Sequence, residues 1–422
     1  MNSTIVTSKD VNSKQVNSKE TLSCDFDGYS LSSNDQKNVL NFSPGPTQFP
    51  REIITEISND LNKTNMGITA LEISHRSPEF NEILERVNLN LRELMKIPTE
   101  FNIIWTQGGG HGQFSSIPLN LGCLFDQGQI GNYIVTGTWS NRAFNEAVKF
   151  VNARNSNENE KLPIQHNDID ITNCINDNDV YVYLCSNETV NGTEFRNDGI
   201  PYPTRDILKS AISIVDMSSD FTMKNIKWED VDIAFACTSK NLGIAGANVL
   251  IIRNELLQKI HEKSSNTFPF VNIPCVLDWN LYDKSNSLYN TPAIYNIYII
   301  DKFLKYYLNK GGIDILEMES KIKANMIYDM LDESKLYKCV VENKLARSNI
   351  NIPFIVGDGS SLIRSKFLHF CYMNQIVGLR TKTPFNYQDF DMTEPLRISL
   401  YNGISIEDTI KLVSTMRDFE IL

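Results

Sequence analysis

Lys240 is the residue whose surroundings first suggest chemistry. It stands in Thr238-Ser239-Lys240-Asn241-Leu242-Gly243-Ile244-Ala245-Gly246, just after the apolar run 232–237 and ahead of two glycines, where the chain must turn sharply or approach something closely. A lysine is usually a solvated cation, but at the end of a buried strand partial desolvation would favour the neutral, nucleophilic amine. Two other apolar runs end comparably. Run 211–215 leads into Asp216-Met217-Ser218-Ser219, an acid that needs an N–H or a cationic ligand atom as partner. Run 101–105 leads into Thr106-Gln107-Gly108-Gly109-Gly110-His111-Gly112-Gln113, a glycine-rich turn entering a helix, whose free N–H groups suit a phosphate. Trp139, in Thr136-Gly137-Thr138-Trp139-Ser140, offers an indole that can stack on a flat heteroaromatic ring, and His75-Arg76 places two adjacent cationic donors in a loop. Singly, each has an ordinary explanation: a surface lysine, a cap, a tight turn, a core aromatic, a capping loop.

The combination is more demanding. In parallel sheets, ligands bind outside the carboxyl ends of the strands. A phosphate cradle, an acid and a lysine at such ends match the needs of pyridoxal 5'-phosphate: phosphate on the Gly turn, pyridine nitrogen on Asp216, aldehyde carbon on Lys240.

The elements that must position these residues follow from hydrophobic periodicity. Residues 79–97 place Phe80, Ile83, Leu84, Val87, Leu91, Leu94 and Met95 on one helical face, with Ser77 as N-cap and Pro78 at the first helical position. Apolar runs at 101–105, 133–135, 180–185, 211–215, 232–237 and 249–252 alternate with helix-like segments, the signature of a mostly parallel sheet buried on both faces. After about residue 295 the character changes to a long helical pattern, hairpin-like strands and a final helix over 405–419, as in a smaller α+β domain. The Asn-rich stretch 152–178 reads as loop, and NFSPGPTQFP, from Asn41, as an irregular arm.

Composition bounds the function. The chain has 422 residues, enough for two or three domains at roughly 100–200 residues each. With 40 Lys and Arg against 51 Asp and Glu, the net charge of -11 argues against a general grip on nucleic acid. The eight cysteines show no CxxC spacing and read as reduced thiols rather than a disulfide or metal framework. No apolar run suits a membrane span and no signal peptide is evident, so a cytoplasmic location is expected; residues 1–38 form a polar tail too poor in apolar residues to offset its ordering entropy.

The segments NFSPGP, EISHRSPEF, QGGGHGQF followed by PLN, VTGTWS, YLCSNETVNGTEF, VDMSSDF, SKNLGIAG, SLYNTPAIYNIY and LRISLYNG resemble the signature stretches of the phosphoserine aminotransferases, over residues 41–419. The resemblance implies the aspartate aminotransferase-like fold type I of pyridoxal-phosphate enzymes: an α/β large domain at 55–300 with a mostly parallel seven-stranded sheet, and a small α+β domain from 39–54 and 301–422. It implies that Lys240 bonds the cofactor aldehyde, Asp216 pairs with the pyridine nitrogen, Trp139 stacks on the ring and Thr189 contacts the cofactor. Gly110, His111 and Ser239 would line the phosphate cup, with Asn290 and Thr291 reaching it from the second subunit of a homodimer. Arg397 would hold the substrate α-carboxylate, and His75 and Arg76 would face the side-chain phosphate or γ-carboxylate. The implied reaction, in serine biosynthesis, converts O-phospho-L-serine and 2-oxoglutarate to 3-phosphohydroxypyruvate and L-glutamate.

Three departures bear on this expectation. Where the family has Gln before the lysine and Pro after the glycine, this chain has Ser239 and Ile244. The family's second His-Arg pair is missing: Gly378-Leu379-Arg380-Thr381-Lys382-Thr383-Pro384 is followed by an insertion at 385–394. Arg380 or Lys382 would restore the charge but not a planar fork in the case of lysine. Preference for another anionic amino acid, such as 4-phosphohydroxy-L-threonine of vitamin B6 synthesis, and an inactive cofactor-binding relative therefore stay open as alternatives.

Overall fold

The computed structural model describes residues 39–61, 68–157, 171–266, 273–379 and 395–422. The expected polar tail 1–38, Arg380, Lys382 and the insertion 385–394 lie outside the described residues.

Seven strands make the main sheet: β1 (Phe101–Gln107), β2 (Ile130–Ile134), β3 (Ala153–Asn155), β4 (Asp179–Cys185), β5 (Ile212–Asp216), β6 (Ile233–Cys237) and β7 (Ala247–Arg253). Their order is β1-β7-β6-β5-β4-β2-β3. Only β7 runs against its neighbours, pairing antiparallel with both β1 and β6; the pairs β6/β5, β5/β4, β4/β2 and β2/β3 are parallel. The strands are apolar on both sides because both faces are covered. In β4, Val182 and Leu184 enter one core while Tyr181 and Tyr183 enter the other; in β7, Val249 and Ile251 alternate with Leu250 and Ile252 in the same way. Helices Pro78–Met95 and Ile294–Asn309 cover the first face, and Gly109–Leu121, Thr138–Ala147 and Asn254–Asn266 the second. Each such large apolar side chain contributes roughly 1.5–3 kcal/mol when fully buried.

The expected helix after Ser77 is present as Pro78–Met95, with Ser77 Oγ accepting from Phe80 N at 3.3 Å. It ends at Lys96, whose backbone is left-handed (φ 52). The reading of 152–178 as loop needs correction, because Ala153–Asn155 is an edge strand pairing with Gly131, Asn132 and Tyr133. A three-residue, half-buried strand carries no hydrophobic alternation; it is held instead by Arg154, whose guanidinium meets Asp179 of β4 at 2.9 Å.

A second core gathers around an antiparallel sheet of β8 (Tyr337–Cys339), β9 (Asn351–Val356) and β10 (Leu396–Ser399), in the order β8-β9-β10. Leu40 and Phe42 from the start of the described chain join it, as do helices Ser361–Met373 and Ile406–Ile421. Helix Ile313–Glu333 belongs to both cores: Ile313 and Leu316 pack in the first, Ala324, Ile327 and Leu331 in the second. Helix Ile294–Asn309 runs unbroken through residues 300 and 301 and packs in the first core.

Strand register aligns the chemistry. Cys185 pairs with Asp216, and Asp216 with Phe235, so β4, β5 and β6 finish along one edge. From that edge emerge the Gly turn after β1, Trp139 after β2, Asn187 to Thr189 after β4 and Lys240 after β6.

Candidate active site

A cavity of about 300 Å³ opens at this edge. Lys240, Ser239, Asp216, Trp139, Thr189 and the Gly110-His111 pair all line it.

Lys240 is half-buried, and its Nζ donates to Pro44 O at 2.6 Å and to the Tyr401 hydroxyl at 3.4 Å. Its own carbonyl accepts from Thr47 Oγ1 at 2.5 Å. The arm 41–50 therefore lies along the lysine, and Gly45 is required there: its φ is +140, and a Cβ would stand 3.0 Å from Lys240 Cδ and Cε.

Asp216, 3% exposed, accepts from Ser218 N at 2.9 Å through Oδ1 and from the Tyr183 hydroxyl at 3.2 Å through Oδ2. Tyr183 is itself fully buried, with its ring 4.8 Å from that of Tyr133. Burial pushes the Asp216 pKa up to about 6, against the pull of its hydrogen bonds from Ser218 and Tyr183. None of the ion pairs among the described residues engages it, so a cationic ligand atom would relieve a real desolvation cost.

Gly108 (φ 102) and Gly109 (φ 65) make the turn into helix Gly109–Leu121 in a conformation that side chains disfavour. Asn248 of β7 steadies it, donating to Gly109 O at 2.8 Å. The helix start thus faces the cavity with its dipole's positive end.

Trp139 lies in the first turn of helix Thr138–Ala147. Buried Glu188 holds that turn: its carboxylate accepts from Trp139 N and Ser140 N, both at 2.8 Å, and from Ser140 Oγ at 2.6 Å. Burial raises the Glu188 pKa, opposed by those three donors. The Arg142 guanidinium stands 4.9 Å from the Trp139 ring centre, and the buried indole Nε1 has no partner.

Arg397, 6% exposed, reaches the site through Thr189, whose carbonyl accepts from Arg397 Nη1 at 2.8 Å. Its Nε is buried without a hydrogen-bond partner, and burial lowers its pKa from the usual arginine value. A guanidinium buried with an unused donor fits a carboxylate ligand.

Five expected residues do not line this cavity within the chain: Arg397, which touches it only through Thr189, and His75, Arg76, Asn290 and Thr291. His75 is half-buried and Arg76 exposed, in the turn before helix Pro78–Met95. Asn290 accepts from the Tyr282 hydroxyl at 3.2 Å, and the exposed Thr291 accepts through its carbonyl from Gln107 Nε2 at 2.8 Å.

No site role for Pro44, Gly45, Tyr183, Glu188 or Tyr401 follows from the sequence alone, where Gly45 counts only as a residue that keeps the arm irregular. All five stand inside the segments NFSPGP, YLCSNET and LRISLYNG, which was the available signal. Their contacts with Lys240 and Trp139 span 49 to 196 positions of sequence, and periodicity carries no information at that range.

The set supplies a flexible amine, a buried acid suited to a cationic ring nitrogen, an aromatic plate, an anion cradle and a buried guanidinium. Comparison with known proteins agrees. The family description Aminotransferase class-V matches residues 39–412. The probable phosphoserine aminotransferase of Caenorhabditis elegans is 33% identical over 391 residues, 91% of this chain and 97% of that protein. That of Dictyostelium discoideum is 34% identical over 390 residues, 90% of this chain and 96% of that protein. The solved structure of pyridoxal-phosphate-bound phosphoserine aminotransferase from Trichomonas vaginalis has a TM-score of 0.77 at 30% identity, covering 90% of this chain and 99% of that one. With its sheet, its lysine edge and these similarities running along nearly all of the described length, the chain belongs to the class-V aminotransferase family, and within it to the phosphoserine aminotransferases.

Proposed function

We propose that the chain transfers the amino group of O-phospho-L-serine to 2-oxoglutarate, and the reverse, with pyridoxal 5'-phosphate as cofactor. One observation carries the proposal: Lys240 and Asp216, at the ends of different strands, face a single cavity that also takes the start of the Gly109–Leu121 helix and the Trp139 indole. The residues fit the cofactor, since a buried acid lacking a cationic partner, an unused indole N–H and a helix N-terminus are the features that a cationic ring nitrogen and a phosphate would satisfy.

When bound, pyridoxal phosphate supplies a carbonyl carbon for the amino group and a ring that draws electron density from the substrate α-carbon. Asp216 holds the proton on the ring nitrogen, with Tyr183 and Ser218 keeping its carboxylate oriented. Lys240 Nζ, on its four-carbon arm, removes the α-proton and redelivers it. Trp139 keeps the ring plane fixed, and Glu188 fixes Trp139. Arg397 binds the α-carboxylate that both substrates share. In our reading His75, Arg76, Asn290 and Thr291 serve the site of a second copy in a homodimer, His75 and Arg76 meeting the side-chain anion and Asn290 and Thr291 the cofactor phosphate. We place the enzyme in the cytoplasm; among the described residues no helix is long and apolar enough to cross a membrane.

The test is spectroscopic. The purified protein carries a visible cofactor band that Lys240→Ala abolishes, and a single turnover with phosphoserine converts the bound cofactor to its amine form. Failure of that conversion with phosphoserine but success with 4-phosphohydroxy-L-threonine would move the assignment to that substrate; failure with both would leave a silent relative.

A further inference from the structure

Lys323 lies outside the cavity just described. It rises from helix Ile313–Glu333 with 1% of its surface exposed, and its Nζ donates to three backbone carbonyls: Leu400 O at 3.0 Å, Tyr401 O at 3.1 Å and Ile404 O at 2.8 Å. No carboxylate forms an ion pair with it among the described residues; Glu319, Asp408 and Lys310 act on it only through space. Glu319 is engaged by Lys310, and Asp408 caps the helix Ile406–Ile421. Burial pushes the Lys323 pKa down to about 7, whereas three carbonyl dipoles favour the ammonium. An ammonium has three N–H groups for these three acceptors, so the side chain works as a tethered cation in a carbonyl cage. An uncompensated buried charge is a poor source of stability, which directs attention to what the caged turn carries.

The turn carries Tyr401. That side chain is 1% exposed, its hydroxyl donates to Pro44 O at 3.0 Å, and it accepts from Lys240 Nζ at 3.4 Å. The next residue, Asn402, donates its N–H to Asn241 Oδ1 at 3.1 Å, beside the lysine in sequence. We infer that Lys323 is a positioning residue: by locking the turn at 400–404 it holds the Tyr401 hydroxyl against Lys240 Nζ and so aims the reacting amine. The inference rests on the proposed role of Lys240. The same turn follows strand β10, which bears Arg397, so an effect through the guanidinium is the competing route, and it would act on substrate affinity instead.

The experiment is a double-mutant cycle on the full chain loaded with pyridoxal phosphate, using Lys323→Met, Tyr401→Phe and the double variant. Each single variant should lower kcat about ten-fold with KM for phosphoserine changed by less than about two-fold, and the double variant should be about as slow as the slower single one. The second readout is made on cofactor-free protein: the rate at which an amine-acylating reagent labels Lys240, resolved by peptide mapping. That rate should shift alike in all three variants. Lys323→Gln, which keeps two donors for the cage, should lose less than Lys323→Met and serves in its place if the methionine variant does not fold. Penalties that multiply to about a hundred-fold, a raised KM with kcat intact, or unchanged labelling of Lys240 would overturn the inference. A wild type that binds no cofactor would instead overturn the functional reading, and the labelling experiment on cofactor-free protein would still decide the role of Lys323.

Discussion

Replacing Asp216 by Asn should stabilise the cofactor-free protein while ruining the enzyme. The carboxyl is 3% exposed, and its pKa in the folded chain, about 6, lies above the ordinary aspartate value of 3.8. Between those values the folded chain binds the proton more often than the unfolded chain, so stability falls as pH rises from about 4 to about 6, and the full cost persists above that window. A shift of about two units corresponds to about 3 kcal/mol. Asparagine removes the charge with little change of shape: its oxygen can still accept from Ser218 N, and its amide can donate to the Tyr183 hydroxyl, which rotates to accept. Urea unfolding of cofactor-free protein should therefore show Asp216→Asn more stable than wild type by about 2–3 kcal/mol at pH 8, the difference shrinking towards pH 4. Saturating pyridoxal phosphate should then reverse the order, because only the carboxylate gains a cationic partner. Equal stabilities at pH 8, or a difference indifferent to pH, would refute the reasoning that this acid is held charged against burial for the benefit of a ligand.

Four further substitutions test the site. Gly45→Ala forces a Cβ to within 3.0 Å of Lys240 Cδ and Cε at a φ of +140, so steady-state assays should show a fall in kcat of about ten-fold or more, with a stability loss of about 1 kcal/mol by urea titration. Glu188→Gln turns one of two accepting oxygens into a donor facing the N–H of either Trp139 or Ser140, which bond different oxygens; denaturation should register a loss of about 2–3 kcal/mol, and the visible circular dichroism of the bound cofactor should weaken as Trp139 loosens. Arg397→Lys should raise KM about ten-fold for phosphoserine and glutamate alike, whereas Arg76→Ala should penalise phosphoserine more than glutamate; equal penalties from Arg76 would remove it from the side-chain pocket.

Much of the frame was legible in the chain itself. Six of the seven sheet strands announced themselves as apolar runs because both faces of a parallel sheet are buried, and the helix Pro78–Met95 because one face repeats every 3.6 residues and Ser77-Pro78 punctuates its start. The seventh strand, Ala153–Asn155, did not: it is an edge strand kept in place by the Arg154–Asp179 ion pair and by pairing with β2, neither of which leaves a local pattern. The site shows the same division. Lys240, Asp216, Trp139 and the Gly turn could be singled out because each stands at or just past the end of an apolar run, and ligand-binding groups collect where parallel strands end.

The surroundings of the amine could not be read in this way. Pro44, Gly45 and Tyr401 come from remote parts of the chain, and Lys323 enters only through carbonyls that any residue at 400, 401 and 404 would possess. Local sequence determines which segments become strands and helices and which side chains stand at their ends, since propensity and hydrophobic period act over a few residues. Which of those ends share a cavity, how dry an acid there becomes, and which backbone groups close around a buried ammonium depend on strand order and on the packing of two cores against each other. Those are relations between distant segments, so they exist only once the chain has folded.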